Sequence, residues 1–215
     1  MKITHLRCSV ELRSSLGRNL LEEKRCLLLN NQSLGKIEFE KNMFSPLPIA
    51  LVGALVNDVP NFLVIGYMCP FDFGRYLFFS LYKKRHTRIG IHEHRTFSVN
   101  VPSEELLVEV DICGSKSGRD VDKSSLFEIF YGELETAPMI HQAPINIECE
   151  VAEILDYEQN DGIIGRVVKS YVNAECLSEG KLDMQKVHPI LWATGGDFNY
   201  YQLGTRIPQE KDDKD

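Results

Sequence analysis

Features that would direct this chain to a membrane, a secretory pathway or a nucleic acid are missing from its sequence. The longest apolar run, residues 46–56, is about half of the roughly 20 residues that a membrane-spanning helix needs. Arg7, Glu11 and Arg13 interrupt the N-terminal region, which leaves no apolar core for a signal peptide. A net charge of −7 gives no general attraction to a phosphate polymer. We therefore expect a cytoplasmic protein that binds neither a membrane nor a nucleic acid.

The cysteines and histidines lack the spacing of metal or redox motifs. The six cysteines are widely scattered, at Cys8, Cys26, Cys69, Cys113, Cys149 and Cys176. No C-x-x-C pair occurs among them, whereas a structural zinc site needs closely spaced ligands. His92 and His94 are two residues apart, a spacing that sends side chains to different faces of a helix. We expect buried free thiols and no metal site.

Nucleotide-binding and hydrolytic motifs are also absent. Segment 113–120 (CGSKSGRD) lacks the Gly-Lys-Ser/Thr ending of a Walker A loop, and no G-x-G-x-x-G follows a strand. No Ser-His-Asp order or paired-carboxylate pattern stands out, although such sites form in space and leave little local trace. The sequence therefore indicates no catalytic side chain.

What the sequence does contain is a series of short apolar strands. Predicted strands cover residues 49–56, 62–68, 76–81, 97–101, 145–151 and 163–174. A short helix is predicted over residues 87–94, and a second helix begins after Ser103 as its N-cap. Alternation in 145–151 predicts a strand buried on one face, and Asp161-Gly162 predicts a hairpin turn. About seven short strands with few helices predict a closed or nearly closed antiparallel barrel.

Two segments are candidates for anion binding. Residues 83–87 (KKRHT) carry four cationic or potentially cationic groups and a hydroxyl, and they lie between a predicted strand and a predicted helix, a position that suits a phosphate. On spacing alone, a solvated basic loop is the favoured alternative. The glycines of segment 113–120 allow a ligand to approach the backbone closely, but an ordinary turn is again the favoured alternative.

Taken together, these segments resemble the flavin reductase-like, FMN-binding split-barrel family, particularly its flavoredoxin-type branch. The matching segments follow the family's order: PLPIALVG (46–53), VPNFLVIGYMCP (59–70), SLYKKRHT (80–87), FSVNVPSEELL (97–107), CGSKSGRDVDKSS (113–125), APINIECEV (143–151) and GGDFNYYQLG (195–204). The resemblance covers about residues 46–205, and the combination of FSVNVPS with CGSKSGRDVDK is specific. It implies a mainly β fold, an antiparallel split β-barrel with short peripheral helices.

The resemblance further implies FMN bound without covalent attachment at the interface of a homodimer. The residues that match family positions near the cofactor are Asn61, Val64, Ile65, Gly66, Tyr67, Ser80, Lys83, Arg85, Thr87, Ser117 and Arg119. Backbone groups around Ile65 would border the flavin ring, and the cationic segment would bind its phosphate.

The chain departs from the family at several of these positions. Small hydroxyl residues are common where Val64 and Gly66 stand, and tryptophan is common where Tyr67 stands. Residues 71–75 replace an Asp-Pro-Pro turn.

Three functions are open from the sequence. The first is a flavin reductase that passes electrons from NADH or NADPH through FMN to an acceptor, with no side chain acting as an acid or base. The second is a flavoredoxin-like FMN carrier reduced by a redox protein partner. The third is a barrel that has lost flavin and serves as a binding module. The expected organisation is an extension of unknown role (1–36), an FMN-binding domain (37–207) and a charged tail (208–215).

Overall fold

Fourteen strands and three α-helices lie in the part of the chain that the computed structural model describes, which is residue 35, residues 44–194 and residues 199–209. All of them belong to one unit, residues 43–215. The strands are β1 Leu47–Pro48, β2 Ala50–Val56, β3 Val59–Ile65, β4 Met68–Phe71, β5 Tyr76–Tyr82, β6 Thr96–Val101, β7 Ile129–Phe130, β8 Met139–Ile140, β9 Ile145–Asp156, β10 Asn160–Val172, β11 Leu177–Ser178, β12 Lys181–Leu182, β13 Ile190–Trp192 and β14 Tyr200–Gln202. The helices are α1 Thr87–His94, α2 Leu107–Ser115 and α3 Met184–Val187. Apart from Gly35, the predicted extension 1–36 lies outside the described residues, as do residues 210–215 of the tail.

Seven strands form one antiparallel sheet in the order β3-β2-β6-β9-β10-β5-β4. The two end strands, β3 and β4, are separated in the chain only by Gly66 and Tyr67. That connection spans at most about 11 Å, whereas seven strands laid flat span about 29 Å. The sheet must therefore curl until its ends meet, which confirms the predicted antiparallel split barrel.

The barrel interior is filled by side chains that alternate along the strands. Leu77, Phe79 and Leu81 of β5 point inward, and the Phe79 ring meets the Phe97 ring of β6 edge to face at 5.2 Å. A second apolar cluster lies where α2 packs on β2 and β3, and it includes Leu51, Phe62, Val110 and Cys113. The predicted short helix is confirmed as α1.

The hairpin turn predicted at Asp161-Gly162 is wrong, because both residues lie inside β10. The chain reverses at residues 157–159 instead, where the Tyr157 amide donates to the Asn160 carbonyl. Asp161 is only 1% exposed, and its Oδ2 lies 2.6 Å from both Arg88 Nε and His92 Nε2 of α1. These partners, distant in sequence, outweigh the local turn preference of Asp-Gly.

The Asp161 contacts give the fold an acid-sensitive element. Burial by itself would raise the pKa of Asp161, but hydrogen bonds from Arg88 and His92 outweigh it and hold that pKa below its usual range. The stabilisation from this carboxylate is therefore complete above about pH 4, the ordinary pKa of Asp, and is lost as pH falls through the lower folded-state value.

Asp161→Asn is expected to lower the free energy of unfolding at pH 7 by about 2 kcal/mol, since it removes one partner of a buried ion pair. Denaturant unfolding measured between pH 7 and pH 3 should show that the difference in the free energy of unfolding between wild type and variant becomes smaller below pH 4. Asp156→Asn, which affects only an exposed pair with Lys83, should cost less than about 1 kcal/mol. A gap of constant size down to pH 3 would contradict this account.

Strand β9 is antiparallel as predicted, but in its first half the face predicted to meet solvent is covered, whereas Ala152, Glu153 and Asp156 further along are exposed. Its polar residues Asn146 and Glu148 are as inaccessible as its apolar ones. Glu148 accepts hydrogen bonds from the backbone amides of Glu133 (3.0 Å) and Leu134 (2.7 Å) and from the Tyr171 hydroxyl (2.7 Å). A loop that follows β7 covers this face and supplies donors to the carboxylate.

Glu148→Gln is expected to destabilise the protein by about 2 kcal/mol, because the amide nitrogen of glutamine would face a donor where a carboxylate oxygen accepts. The neighbouring Glu150→Gln affects only an exposed pair with Arg166 and should cost under about 1 kcal/mol. Equal losses for the two variants in denaturant unfolding would show that the buried acceptor role is not what stabilises this loop.

Two further local predictions need correction. Ser103 is the N-cap of a 3₁₀ turn, Glu104–Leu106, that leads into α2, as predicted, but its side chain makes no capping hydrogen bond. Residues 113–115 form the last turn of α2, so the loop predicted over 113–120 begins only at Lys116.

Candidate functional site

An open cleft lies between the end of β3, the last turn of α2 and β13. Its first part, the aromatic compartment, has a volume of about 520 Å³, within the size range of small-molecule sites. Backbone and side chains at the end of β3 form one wall, with tyrosines and a tryptophan around them. The lining residues are Ile49, Leu63, Val64, Ile65, Gly66, Tyr67, Ser80, Tyr82, Arg85, Asp111, Gly114, Ser115, Asn160, Trp192 and Tyr200.

Glycine is required at position 66 because Trp192 packs against it. A Cβ atom at Gly66 would lie 2.8 Å from Cε3 of Trp192. The Trp192 ring also meets the Tyr67 ring edge to face at 6.0 Å. This packing explains two departures from the family pattern, since Tyr67 and Trp192 together supply the aromatic wall that a side chain at position 66 would obstruct.

The cleft continues into a cationic compartment of about 340 Å³. The two compartments share Leu63, Tyr82, Arg85 and Ser115. The remaining lining residues are mostly cationic or hydroxyl-bearing: Asn61, Lys84, His86, Thr87, Lys116, Ser117, Gly118 and Lys123. A third compartment of about 390 Å³ adjoins this one and is lined by Asn61, His86, Gly118, Arg119 and Lys123 among others.

Lys123 is a buried cation with no carboxylate partner among the described residues. Its side chain is 3% exposed, and Nζ donates to the carbonyls of Phe62 and Cys113, both at 2.9 Å. Burial lowers the pKa of Lys123, and the Arg85 guanidinium lowers it further. A buried charge without a counterion is unfavourable, so an anion bound in the cationic compartment would be stabilised by this lysine.

His86 adds a second polar group to the same compartment. Burial lowers the pKa of His86, and the charges of Arg119 and Lys123 lower it further. Its Nδ1 atom is buried without a hydrogen-bond partner. A ligand bound in the compartment would supply the hydrogen-bond partner that this nitrogen lacks.

The structure brings together ten of the eleven residues predicted for the cofactor site. Val64, Ile65, Gly66, Tyr67, Ser80 and Arg85 line the aromatic compartment; Asn61, Thr87 and Ser117 line the cationic compartment; and Arg119 lines the third. Thr87 is buried at the start of α1, and its Oγ1 accepts a 2.6 Å hydrogen bond from Asn61 Nδ2.

Lys83 is the residue that the structure places elsewhere. It lines none of the three compartments and forms an ion pair with Asp156. Both lysines lie in the turn that follows β5, and Lys84, not Lys83, lines the cationic compartment. The Arg119 guanidinium donates to the Lys84 carbonyl at 3.0 Å and so connects the two loops that border this compartment.

Sequence reasoning missed Lys123, Trp192, Tyr200 and Asp111 as lining residues. Lys123 belongs to a segment that matches the family, but no spacing rule distinguishes it from a solvated lysine. Trp192 is the only tryptophan in the chain, which was the available signal.

Cysteine and metal chemistry are not evident in the cleft. Burial raises the pKa of the Cys113 thiol to about 11 and that of Cys149 to about 12, so both are protonated at neutral pH. Of the four described cysteines, Cys69 is exposed, and the other three are buried as predicted.

Residues 44–194 and 199–209 contain no group of three or more His, Cys, Asp or Glu side chains placed to hold a metal ion. No helix in these ranges is long and apolar enough to span a membrane.

The geometry suits a ligand with a planar ring system at one end and an anionic ester at the other. Aromatic walls and backbone groups of β3 can hold the ring, where hydrogen bonds to ring atoms tune its electronics. Arg85, Lys123 and the hydroxyl groups can bind the anion. An isoalloxazine ring with a ribityl phosphate has this form.

Comparisons with known proteins agree with this arrangement. The model of the flavin reductase like domain matches residues 43–200. The flavoredoxin of Methanosarcina acetivorans is similar in structure, with a TM-score of 0.77 and 37% identity over 81% of this chain and 95% of that one. The flavoredoxin of Desulfovibrio vulgaris (Miyazaki F) has a TM-score of 0.75 and 25% identity over 81% of this chain and 97% of that one. An uncharacterised protein of Pyrococcus abyssi is 27% identical over 65% of this chain and 82% of that one.

The match to the family model covers both compartments and the loops that border them. It confirms the resemblance seen in the sequence, and FMN is the cofactor that this family and this cleft indicate. The chain belongs to the flavin reductase-like, FMN-binding family.

Proposed function

We propose that this protein is an FMN-dependent oxidoreductase of the flavin reductase type, which takes electrons from reduced nicotinamide and passes them through FMN to an acceptor. The observation that carries the proposal is the continuity of the aromatic and cationic compartments, with Lys123 buried in the cationic one and without a carboxylate partner among residues 44–194 and 199–209. A single ligand of the size and charge of FMN satisfies both parts.

The residues present fit the cofactor. Arg85, Thr87, Ser117 and Lys123 would hold the phosphate, and backbone groups of residues 64–67 would border the ring. FMN supplies the hydride acceptance and electron donation when it is bound. The protein would bind and orient the cofactor and would restrict the access of water to the ring.

The chain's own residues also leave room for an electron donor. Tyr67 is half exposed and lines the aromatic compartment together with Trp192 and Tyr200. Planar rings such as nicotinamide pack well on aromatic side chains.

The test is an absorbance spectrum of the purified protein under anaerobic conditions, before and after addition of NADH or NADPH. We expect a yellow protein whose visible absorbance is bleached by one of the two donors and recovers with free flavin or a ferric acceptor. Flavin-loaded protein that neither donor bleaches would contradict the proposal.

The second candidate, an FMN electron carrier reduced by a protein partner, is favoured by the 37% identity to a flavoredoxin. Stopped-flow mixing separates the two functions. Rapid bleaching by NADH or NADPH supports the reductase, whereas bleaching only by a reduced partner protein supports the carrier.

A further inference from the structure

Asn61 is a buried polar side chain of β3 at the border of the cationic compartment. It is 5% exposed, and its backbone lies opposite Ala54 in the ladder between β2 and β3. Its amide nitrogen Nδ2 donates a 2.6 Å hydrogen bond to Oγ1 of Thr87, the first residue of α1. The sheet therefore holds the side chain of Thr87 through this one buried hydrogen bond.

The oxygen of the same amide is covered by the loop that follows α2. A Cβ atom at Gly118 would lie 2.0 Å from Oδ1 of Asn61 and 2.7 Å from its Cγ. The loop backbone thus packs directly on the amide oxygen, and only glycine permits this approach. A carbonyl oxygen has no proton to donate, so Oδ1 of Asn61 is not a group that binds a phosphate.

The direction of the hydrogen bond between Asn61 and Thr87 decides what the Thr87 hydroxyl can do. A threonine hydroxyl has one proton to donate and two lone pairs that accept. Because the amide nitrogen uses a lone pair, the proton remains for another acceptor, and no group among residues 44–194 and 199–209 accepts it. Thr87 is 1% exposed and lines the cationic compartment. A phosphate oxygen bound there is a strong acceptor, which matches a hydroxyl with a free proton.

We propose that Asn61 is a positioning residue for phosphate recognition, which acts on the cofactor through Thr87 by holding the Thr87 hydroxyl as a hydrogen-bond donor to the phosphate. Asn61 thereby helps the protein to select a phosphorylated flavin over riboflavin, without a contact of its own to the phosphate. The inference deepens the proposed function and rests on it for the identity of the ligand. It gives Asn61 an indirect role, whereas the resemblance in sequence places this residue among those that bind the cofactor.

The experiment is a double-mutant cycle in the full-length protein, in which titration of flavin fluorescence measures the affinities for FMN and for riboflavin. Thr87→Val removes the hydroxyl and keeps the shape of the side chain, and it should weaken FMN binding about 10-fold. Asn61→Leu removes the amide and keeps a similar volume. It should weaken FMN binding about 5-fold, because the hydroxyl remains but is no longer oriented.

The comparison of backgrounds and ligands tests the indirect role. In the Thr87→Val background, Asn61→Leu should weaken FMN binding by less than about 2-fold, because the hydroxyl that Asn61 positions is already gone. Riboflavin lacks the phosphate, so each single substitution should change its affinity by less than about 2-fold. Thr87→Ser keeps a hydroxyl and should restore the FMN affinity that Thr87→Val loses.

Thr136→Val is the matched control, since it removes another hydrogen bond of the same length. Thr136 Oγ1 lies 2.6 Å from Thr96 Oγ1, and neither residue lines any of the three compartments. The ratio of FMN affinity to riboflavin affinity should stay at the wild-type value. If Asn61→Leu does not fold, Asn61→Ser takes its place in the cycle, because the serine hydroxyl is one bond too short to reach Thr87.

Three outcomes would each overturn the inference. Equal loss of FMN and riboflavin affinity would show that Asn61 has only a structural role. A loss of FMN affinity that is the same with Thr87 and with Thr87→Val would show that Asn61 binds the phosphate itself. An unchanged FMN affinity would show that the hydroxyl needs no positioning.

These affinities do not depend on turnover. A cycle with the expected coupling, in a protein whose bound FMN is bleached by neither NADH nor NADPH, would contradict the proposed reductase and not the role of Asn61. Bleaching by one of the donors together with any of the three outcomes above would overturn the role of Asn61 alone. A wild type that binds no FMN would overturn both.

Discussion

Lys123→Met is expected to weaken FMN binding about 100-fold, because a buried charge-assisted hydrogen bond contributes up to about 3 kcal/mol. Lys123 is a buried cation that lines the cationic compartment, and it is held there by the carbonyls of Phe62 and Cys113. Its role is to balance the phosphate charge. Riboflavin lacks the phosphate, so the substitution should weaken riboflavin binding by less than about 3-fold. Titration of flavin fluorescence with both ligands measures the two constants.

Lys83→Met is the matched control for this substitution. Lys83 was predicted from the sequence to bind the phosphate, but it forms an ion pair with Asp156 and lines none of the compartments. We expect its replacement to change FMN affinity less than about 2-fold. Equal loss of FMN and riboflavin affinity in Lys123→Met would assign that lysine a structural role and contradict phosphate recognition.

Gly90→Ala is expected to lower the free energy of unfolding by about 3 kcal/mol, an effect near the upper end for overpacking. A Cβ atom at this position would lie 1.7 Å from the carbonyl oxygen of Leu55 and 2.7 Å from its carbonyl carbon. Both atoms are backbone, so α1 as a whole must move away from β2. The higher helix propensity of alanine, worth about 1 kcal/mol, offsets only part of this cost.

The displacement of α1 should also reach the cofactor site. Thr87 is the first residue of α1 and lines the cationic compartment with His86, so FMN affinity should fall together with stability. Denaturant unfolding of the FMN-free protein and an FMN titration measure the two effects. Ile89→Ala, at an exposed position of the same helix, should cost less than about 1 kcal/mol. A Gly90→Ala variant as stable as Ile89→Ala would show that the helix is not tightly docked.

Much of the barrel could be predicted from the sequence, because its signals are local. The apolar runs at residues 49–56, 62–68 and 76–81 correspond to β2, β3 and β5 within a few residues. Helix α1 was predicted with the bounds that the structure shows. Strand formation depends on alternation and β-branched residues within a single segment, so these elements need no tertiary information.

Predictions failed where a partner distant in the sequence decided the outcome. Asp161-Gly162 has the composition of a turn but forms strand, since Arg88 and His92 of α1 bind the carboxylate. Glu148 has the pattern of a solvent-facing residue but is buried, since a loop supplies donors to it. Local composition carries no information about such partners.

The sequence by itself determined that this chain forms a β-barrel with a cationic segment after the predicted strand at residues 76–81, which is β5, since those properties depend on neighbouring residues. Only the tertiary structure decided which cation enters the cleft. Lys83 and Lys123 carry the same charge. Lys83 forms an ion pair with Asp156 at the end of β9, whereas Lys123 is buried and donates to backbone carbonyls of β3 and α2. The free energy of a buried charge depends on what surrounds it in space, and those surroundings exist only after the barrel has closed.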